Sequence, residues 1–583
     1  MDRFSTCRIA TRTRVLLLFA VLLNATVTSA QDTGPSITDR LKELSSVIDV
    51  KSILTGADDI HVDNDPDNMR RMQSEGFIKQ SAAFGRWGHI KDRYSTWTNH
   101  SNRLIPLYSF GFSLDALRRE GSAYANSDRL KRIYGHVPSG TLNPDADYFD
   151  QTDIYRLQKG AIAAGFKNII VMVFDGMDWQ TTRAASLYKT GKVAYTKGRG
   201  TGLSFQDFDS ATTDFALVCS SPYSETMKQD VNSQLVLDQP KRSTGGYDIR
   251  YGGKAPWLEK PESDYLIGLL RERPHAVTDS AAAATSLLSG LKTYNASINF
   301  AANGKQLTPI AVQLQKRGFK VGMVTSVPIS HATPACAYAN NVYRKDYQDI
   351  ARDLIGFTSA SHRTDALPGV DVLIGAGWGE TKEEDTYQGR NFLVGNIYLH
   401  SEDLKKADVA NGGRYVVSQR TKGTDGGKGL MAAAKRAAKQ GDRLLGFYGV
   451  KLGHLPYQTA DGEFNPTVDV TGIEKYTKED LDENPTLAEM TEAALTYMQT
   501  AEQGFWLLVE AGDVDWANHA NNVDSSIGAV FSGEAAFNSI IRWVEKNDGW
   551  SETALIVTAD HGHYMVIQDP ELIAKAGREQ RGE

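Results

Sequence analysis

Six short apolar runs stand out from about residue 165 onward: Asn168–Asp175, Lys320–Ser326, Val370–Trp378, Leu444–Val450, Phe505–Glu510 and Thr553–Asp560. Each is short for a helix and is separated from the next by at least one helical length. A run without polar alternation suits a strand buried on both faces, and such strands assemble into parallel sheets covered by helices. The expected fold class is therefore α/β: a three-layer αβα sandwich around a large, mainly parallel sheet, with surface insertions. The 583 residues suffice for one very large domain of this kind or for several ordinary ones.

The remaining segments divide by composition. Arg3, Arg8, Arg12 and Arg14 precede the apolar run Val15–Leu23, and small residues follow up to Thr28-Ser29-Ala30. This pattern predicts a signal peptide over residues 1–30 and a secreted or periplasmic protein. The run is too short to span a bilayer. Residues 31–85 read as a polar helical extension, with Leu41, Leu44 and Ile48 on one helical face. Residues 205–265 are rich in Asp, Ser, Tyr and Gly and read as a surface insertion. Cys7 falls in the signal, leaving Cys219 and Cys336, whose pairing depends on a geometry that spacing does not give. A net charge of −7 argues against nucleic acid as a specific partner, so an anionic substrate needs a locally positive site.

Three of the apolar runs end in an acid: Asp175, Glu510 and Asp560. Ligands of open α/β sheets bind beyond the carboxyl ends of the strands. Three carboxylates delivered there repel one another unless a cation lies between them. One strand-end acid is usually a turn residue, but three with adjacent histidines point to a metal site. Asp515 and His519 are four apart and face the same way on a helical turn. Asp560 and His561 leave their strand together, and carboxylate plus imidazole suits zinc.

The nucleophile candidate opens an alanine-rich run, a strong helix former, at Thr278-Asp279-Ser280. Ser280 then sits at a helix N-terminus, where unpaired N–H groups and the dipole favour anions. Asp279 or Ser280 would also serve as a plain cap; the neighbouring metal site makes Ser280 a nucleophile candidate. Thr333, in His331-Ala332-Thr333-Pro334, offers a hydroxyl to a hard cation such as magnesium. Arg344 can clamp two phosphate oxygens, although alone it would read as a surface ion-pair residue.

Together these stretches resemble the alkaline phosphatase family. The matching pieces are Phe174-Asp175-Gly176-Met177, Thr278 to Ala282, Lys292-Thr293-Tyr294-Asn295, His331 to Pro334 with Arg344, Pro485 to Thr491, Val509-Glu510 to His519, and Thr558 to His561. They follow family order over most of 165–565. The resemblance implies a homodimeric hydrolase of small phosphate monoesters that releases inorganic phosphate through a phosphoserine on Ser280, with Arg344 as the second catalytic residue. It implies two zinc ions and one magnesium. Asp515 and His519 would hold one zinc; Asp175, Asp560 and His561, with Ser280 close by, the second; Asp175, Thr333 and Glu510 the magnesium. Asp279, His331, Trp516 and His563 would support these residues from behind.

The family's first zinc takes a further histidine near the C-terminus, and only a short stretch follows His561 here. The segment from Ser95 through His100 to Gly111 resembles the missing piece, and Tyr148–Ile154 resembles the segment that closes many members. The expectation is a circular permutation in which residues 86–160 supply the family's C-terminal part and His100 is the third ligand, ahead of the catalytic domain 161–583. Rearrangement of this kind is tolerated where termini lie close together. The rival reading makes 31–160 an unrelated accessory region and turns to His454. Other metal-dependent hydrolases fit less well. Alanines follow Ser280 where a sulfatase has Pro and Arg, and a phosphodiesterase usually lacks a counterpart of Arg344. A non-catalytic phosphate-binding protein would need a broken nucleophile or ligand set.

Overall fold

The computed structural model describes residues 68–583 apart from 239–242, 259–260, 466, 468–474 and 548. The expected signal peptide, 1–30, lies outside the described residues. So does most of the 31–85 extension, of which Asn68–Lys79 is a helix.

Ten strands form the central sheet. In chain order they are β1 (Ile105–Phe110), β2 (Phe149–Asp150), β3 (Asn168–Phe174), β4 (Thr213–Cys219), β5 (Lys320–Pro328), β6 (Val372–Ala376), β7 (Tyr415–Gln419), β8 (Arg443–Phe447), β9 (Phe505–Ala511) and β10 (Thr553–Thr558). Their spatial order is β7-β8-β6-β5-β9-β3-β10-β1-β4-β2. The seven strands from β7 to β10 are mutually parallel. β1 runs antiparallel to both β10 and β4. All six expected runs are strands, and those at the centre of the sheet, β3, β9 and β10, are buried almost end to end.

Two groups of helices pack among themselves and against the strands. One contains Trp179–Thr190, Gly426–Gln440, Leu487–Met498, Val523–Lys546 and Pro570–Gln580. The other contains Gln151–Ala163, Ser280–Ser289, Ile310–Gln315, Ala332–Tyr338 and Tyr347–Ile355. The sheet and these two layers make the expected αβα sandwich.

Two expectations about organisation need correction. The 205–265 stretch is not confined to the surface, because it contributes β4 to the central sheet, paired along its length with β1. Its Tyr247 and Tyr265 also join Tyr124, Tyr134, Tyr148 and Tyr564 in a second apolar cluster. Composition concealed this: the apolar run Phe215–Cys219 is short and set in a stretch rich in Asp, Ser and Thr. The described residues after 84 are likewise no detached accessory region. Phe84, Trp87, Tyr94 and Ile105 belong to the main core, and the described residues fall in one compact unit with no boundary at 160.

Local pairing ties this early segment to the end of the chain. His100–Ser101 pairs antiparallel with Gly562–His563, and Gly85–Trp87 with Met565–Ile567. Helix Gln151–Ala163, opened by an Asp150/Asp153 capping box, packs on Ser280–Ser289 and then leads into β3. Beneath it, Lys292 Nζ lies 3.1 Å from Asp150, both fully buried, and donates to Gln151 Oε1 at 2.9 Å. Removing either charge would leave the other buried without its partner. Cys219 and Cys336 are both buried free thiols. No described helix is long and apolar enough to cross a membrane.

Candidate functional site

Register delivers the strand-end acids to one place. Thr325, Glu510, Val173 and Thr558 lie in one row across β5, β9, β3 and β10. Asp175 and Asp560 each follow that row by two residues. Beyond β3 the chain turns through Gly176 at φ +69°, where a Cβ would stand 2.9 Å from the His563 ring and 3.2 Å from Asp515 Cα. Glycine is required there on both counts. The turn is pinned by Asn518 Nδ2, which donates to Gly176 O at 3.0 Å, while the amides of Gly176 and His561 donate to Asp560 Oδ1 at 3.0 and 2.9 Å. After β9 the helix Asp513–His519 begins at once. Its entry is held by Ser326 Oγ, which donates to Asp513 Oδ1 at 2.7 Å and accepts from Gly512 N at 2.9 Å.

Three imidazoles then meet around Asp515. His100 Nε2 and His519 Nε2 lie 3.0 Å apart, 3.4 and 3.5 Å from Asp515 Oδ1. His563 Nε2 is 2.8 Å from the same oxygen. His100 Nδ1 faces Thr278 O at 2.8 Å, and His519 Nδ1 faces Thr98 O. A carbonyl only accepts, so both Nδ1 atoms carry the proton and both Nε2 lone pairs point at each other. Only a proton or a metal cation between them relieves that contact. His100, Asp515, His519 and His563 have ligand-type atoms close enough to share one ion.

A second group adjoins it. His561 Nε2 is 3.2 Å from Asp175 Oδ1, 3.5 Å from Asp560 Oδ2 and 3.8 Å from Asp515 Oδ1. Asp175, Asp515 and His561 are also close enough to hold a cation together. Both Asp175 oxygens, Asp560 Oδ2, Glu510 Oε1 and Thr333 Oγ1 are buried without a hydrogen-bond partner among the described residues. Buried polar atoms are rarely left so. This donor set, carboxylates and a hydroxyl beside imidazoles, fits divalent cations.

Ser280 lies against this group, with Oγ 3.1 Å from His561 Nε2. It is the first residue of helix Ser280–Ser289, and Asp279 is the cap, its Oδ1 accepting from Ala282 N at 2.9 Å. The other Asp279 oxygen accepts from Ala296 N and from Arg344 Nη1, at 3.0 and 2.9 Å. One carboxylate therefore both caps the nucleophile's helix and aims the arginine. Arg344 Nη2 lies 3.4 Å from His331 Nε2, and Arg344 is buried, so it is no surface ion-pair residue.

Of the fourteen residues singled out in the sequence, all lie in or against these groups. His563 contacts Asp515 directly, as a supporting residue would, but its Nε2 also stands among the candidate ligand atoms. His454 is elsewhere: its ring stacks on Tyr457 and meets Trp516 edge-on. Several supporting residues went unread. Thr325 Oγ1 donates to Glu510 Oε2, and Gln151 Nε2 to Asp560 O. Gln151 falls within Tyr148–Ile154, but nothing in its spacing marks a role. Thr325 and Asn518 carry no signal without the fold.

Electrostatics follow from burial. Burial and the charges of Asp560, Asp515 and Glu510 push the Asp175 carboxyl well above the usual range. Burial pushes Asp560 up to about 6. It pushes Glu510 up to about 7, against the hydrogen bond from the Thr325 hydroxyl. Burial would raise Asp515 too, but the imidazoles of His519, His100 and His563 hold it well below the usual range. Burial also holds His519, His561 and His563 below the ordinary histidine value. It would lower His100, which its hydrogen bond to Asp515 raises instead.

A pH dependence of the metal-free protein follows. Raised groups stabilise the fold while protonated and lose that contribution as pH rises through their folded values. Lowered histidines still take up protons in the unfolded chain near pH 6.5, which adds slope of the opposite sign up to about pH 7.5. Above that the terms left at this site, Asp175 and His100, share one sign. Metal-free protein is expected to lose stability as pH rises further. Zinc should restore it by binding the folded state. Thermal melts with and without chelator check this: a melting temperature that rises with pH over that range in chelator is the contrary result.

The sequence profile of the family described as "Alkaline phosphatase" matches residues 260–577. His100 and Asp175 lie outside that stretch. Alkaline phosphatase 4 of Bacillus subtilis (strain 168) is 29% identical over 303 residues, 51% of this chain and 52% of that protein. The alkaline phosphatase of Escherichia coli (strain K12) is 27% identical over 325 residues, 53% of this chain and 62% of the other. The chain thus spans little more than half the length of the curated relatives it matches. Among solved structures, the Thermus thermophilus alkaline phosphatase aligns at 22% identity with a TM-score of 0.41, over 68% of this chain and 60% of that one. Since the family profile covers more than half of its length, the chain belongs to the alkaline phosphatase family.

Proposed function

We propose that the protein hydrolyses phosphate monoesters through a phosphoserine on Ser280 and releases inorganic phosphate. The observation that carries this reading is the convergence of Ser280 Oγ and the Asp279-aimed Arg344 on the buried acid and imidazole group. Asp515, His519 and His100 would hold one zinc ion, and Asp175, Asp560 and His561 a second. Asp175, Thr333 and Glu510 would hold magnesium. Bound there, the cations supply Lewis acidity and neutralise the charge of the phosphoryl group and of the entering and leaving oxygens.

The chain's own residues do the rest. Ser280 Oγ attacks phosphorus, the ester P–O bond breaks and the alcohol leaves; water then cleaves the phosphoserine, returning the serine hydroxyl and releasing phosphate. Two features favour an anionic oxygen at Ser280: the N–H groups at the start of its helix and the dipole behind them. Arg344, its orientation set by Asp279, presents N–H donors to the non-bridging oxygens where charge redistributes. The homodimeric state and the secreted or periplasmic location expected from the sequence are retained as parts of this proposal.

The same reading makes the chain a circular permutant, with residues 86–160 standing where other members have their C-terminal part. Three observations support it: β1 sits beside β10, His100 lies on a strand paired with Gly562–His563, and helix Gln151–Ala163 passes through Gly165 directly into β3. Assay of an aryl phosphate monoester beside the corresponding diester, with and without chelator, tests the function. Chelator-sensitive turnover with a clear monoester preference is expected. Diester preference would point to a phosphodiesterase, and metal binding without turnover to a phosphate-binding protein.

A further inference from the structure

A row of aromatic rings leads away from the arginine. The Trp516 indole stands 5.7 Å from the His331 ring at 72°, and His331 itself neighbours Arg344. The Tyr457 ring lies 6.4 Å beyond Trp516. His454 backs both, stacked on Tyr457 at 4.4 Å and edge-on to Trp516 at 5.8 Å. Tyr347 also lies nearly parallel to His331, at 6.4 Å. His331 and His454 are buried, whereas Trp516, Tyr347 and Tyr457 are partly exposed. Tyr457 is held in place, its backbone N–H donating to Tyr476 Oη at 3.2 Å.

Aromatic residues packed into a core would be buried throughout. These instead keep part of their surface in solvent beside a buried polar site. Rigid rings of this kind offer a flat contact surface at low entropic cost. In-line displacement by Ser280 sends the departing oxygen to the side of the phosphate opposite the serine. On the reading above that is the side of Asp515, and Trp516 follows Asp515 directly. We propose that this row binds a planar ring carried by the departing alcohol, so that ring-bearing monoesters, nucleoside 5′-phosphates among them, are preferred substrates. The inference rests on the monoesterase reading.

Adenosine 5′-phosphate and ribose 5-phosphate test it, because both lose the same type of primary alcohol and differ only in the base. The first is expected to show kcat/KM about tenfold higher, as base stacking on aromatic side chains allows. Benzyl phosphate against cyclohexylmethyl phosphate tells a general aromatic preference from one for the nucleobase. Tyr457→Leu and Trp516→Leu should each shrink the adenosine-to-ribose ratio, and Tyr457→Phe should keep it. The ratio is unaffected by any general loss of rate or folded protein. Equal kcat/KM for the two wild-type substrates, or a ratio that survives both leucine variants, overturns the inference. Release of phosphate from neither ester would instead remove the monoesterase reading beneath it.

Discussion

Ser280→Ala is expected to reduce phosphate monoester turnover by on the order of 10⁴-fold or more, as loss of a covalent nucleophile does elsewhere. The substitution isolates chemistry from folding. Ser280 is the first residue of its helix but not its cap; Asp279 holds Ala282 N and remains in place. Alanine is the best helix former and the site continues into an alanine run, so thermal stability should change by less than about 0.5 kcal/mol. The candidate metal groups defined by His100, Asp515, His519 and His563, and by Asp175, Asp515 and His561, do not depend on the serine. Metal content should therefore stay the same while turnover and phosphoprotein trapped by acid quench both vanish. Turnover within about tenfold of wild type, on a scale where that is 1.4 kcal/mol, would exclude a phosphoserine path. Asp279→Ala makes a useful contrast. It removes the cap, worth about 1 kcal/mol, and also frees Arg344, so stability and rate should fall together.

The chemistry was more legible in the sequence than the architecture around it, for a physical reason. Asp175, Glu510 and Asp560 follow apolar runs, and parallel strands in register carry whatever follows them to one sheet edge. Knowing the run was enough to know the destination. Asp515 and His519 needed only the helical period. The alanine run announced its own helix and hence Ser280's position at the N-terminus. β4 was less legible, because its apolar run, Phe215 to Cys219, is short, lies near the sheet edge and is set in a stretch rich in Asp, Ser and Thr. Thr325, Gln151 and Asn518 act through single hydrogen bonds to atoms remote in sequence, and no periodicity encodes such a partner. The double role of Asp279 was half visible: its capping oxygen follows from local sequence, but its hold on Arg344 depends on the approach of a segment 65 residues away.

His100 is the second decisive position. It enters the site by a route no local pattern predicts. It lies on a two-residue strand paired with Gly562–His563, so β-pairing between the two ends of the described chain brings it to Asp515. Its Nδ1 proton is committed to Thr278 O, its ring stacks on His561 at 3.6 Å, and its Nε2 points at His519 Nε2. His100→Ala is expected to lose one zinc per chain and about 10²-fold or more in turnover, since changes merely behind a metal ligand already cost 10- to 100-fold. His454→Ala should keep full zinc content, its ring being packed against Tyr457 and Trp516 instead. A histidine so buried also has a packing role, and zinc content alone would not tell ligand loss from a loosened site. Added imidazole separates the two. The cavity left by the ring sits beside Asp515 and His519, so free imidazole should restore zinc and part of the rate if His100 is a ligand. It should restore neither if the residue only holds the strand pair together. Zinc content and turnover both unchanged in His100→Ala would remove the circular permutation as an account of this site and leave Asp515, His519 and His563 as its candidate ligands.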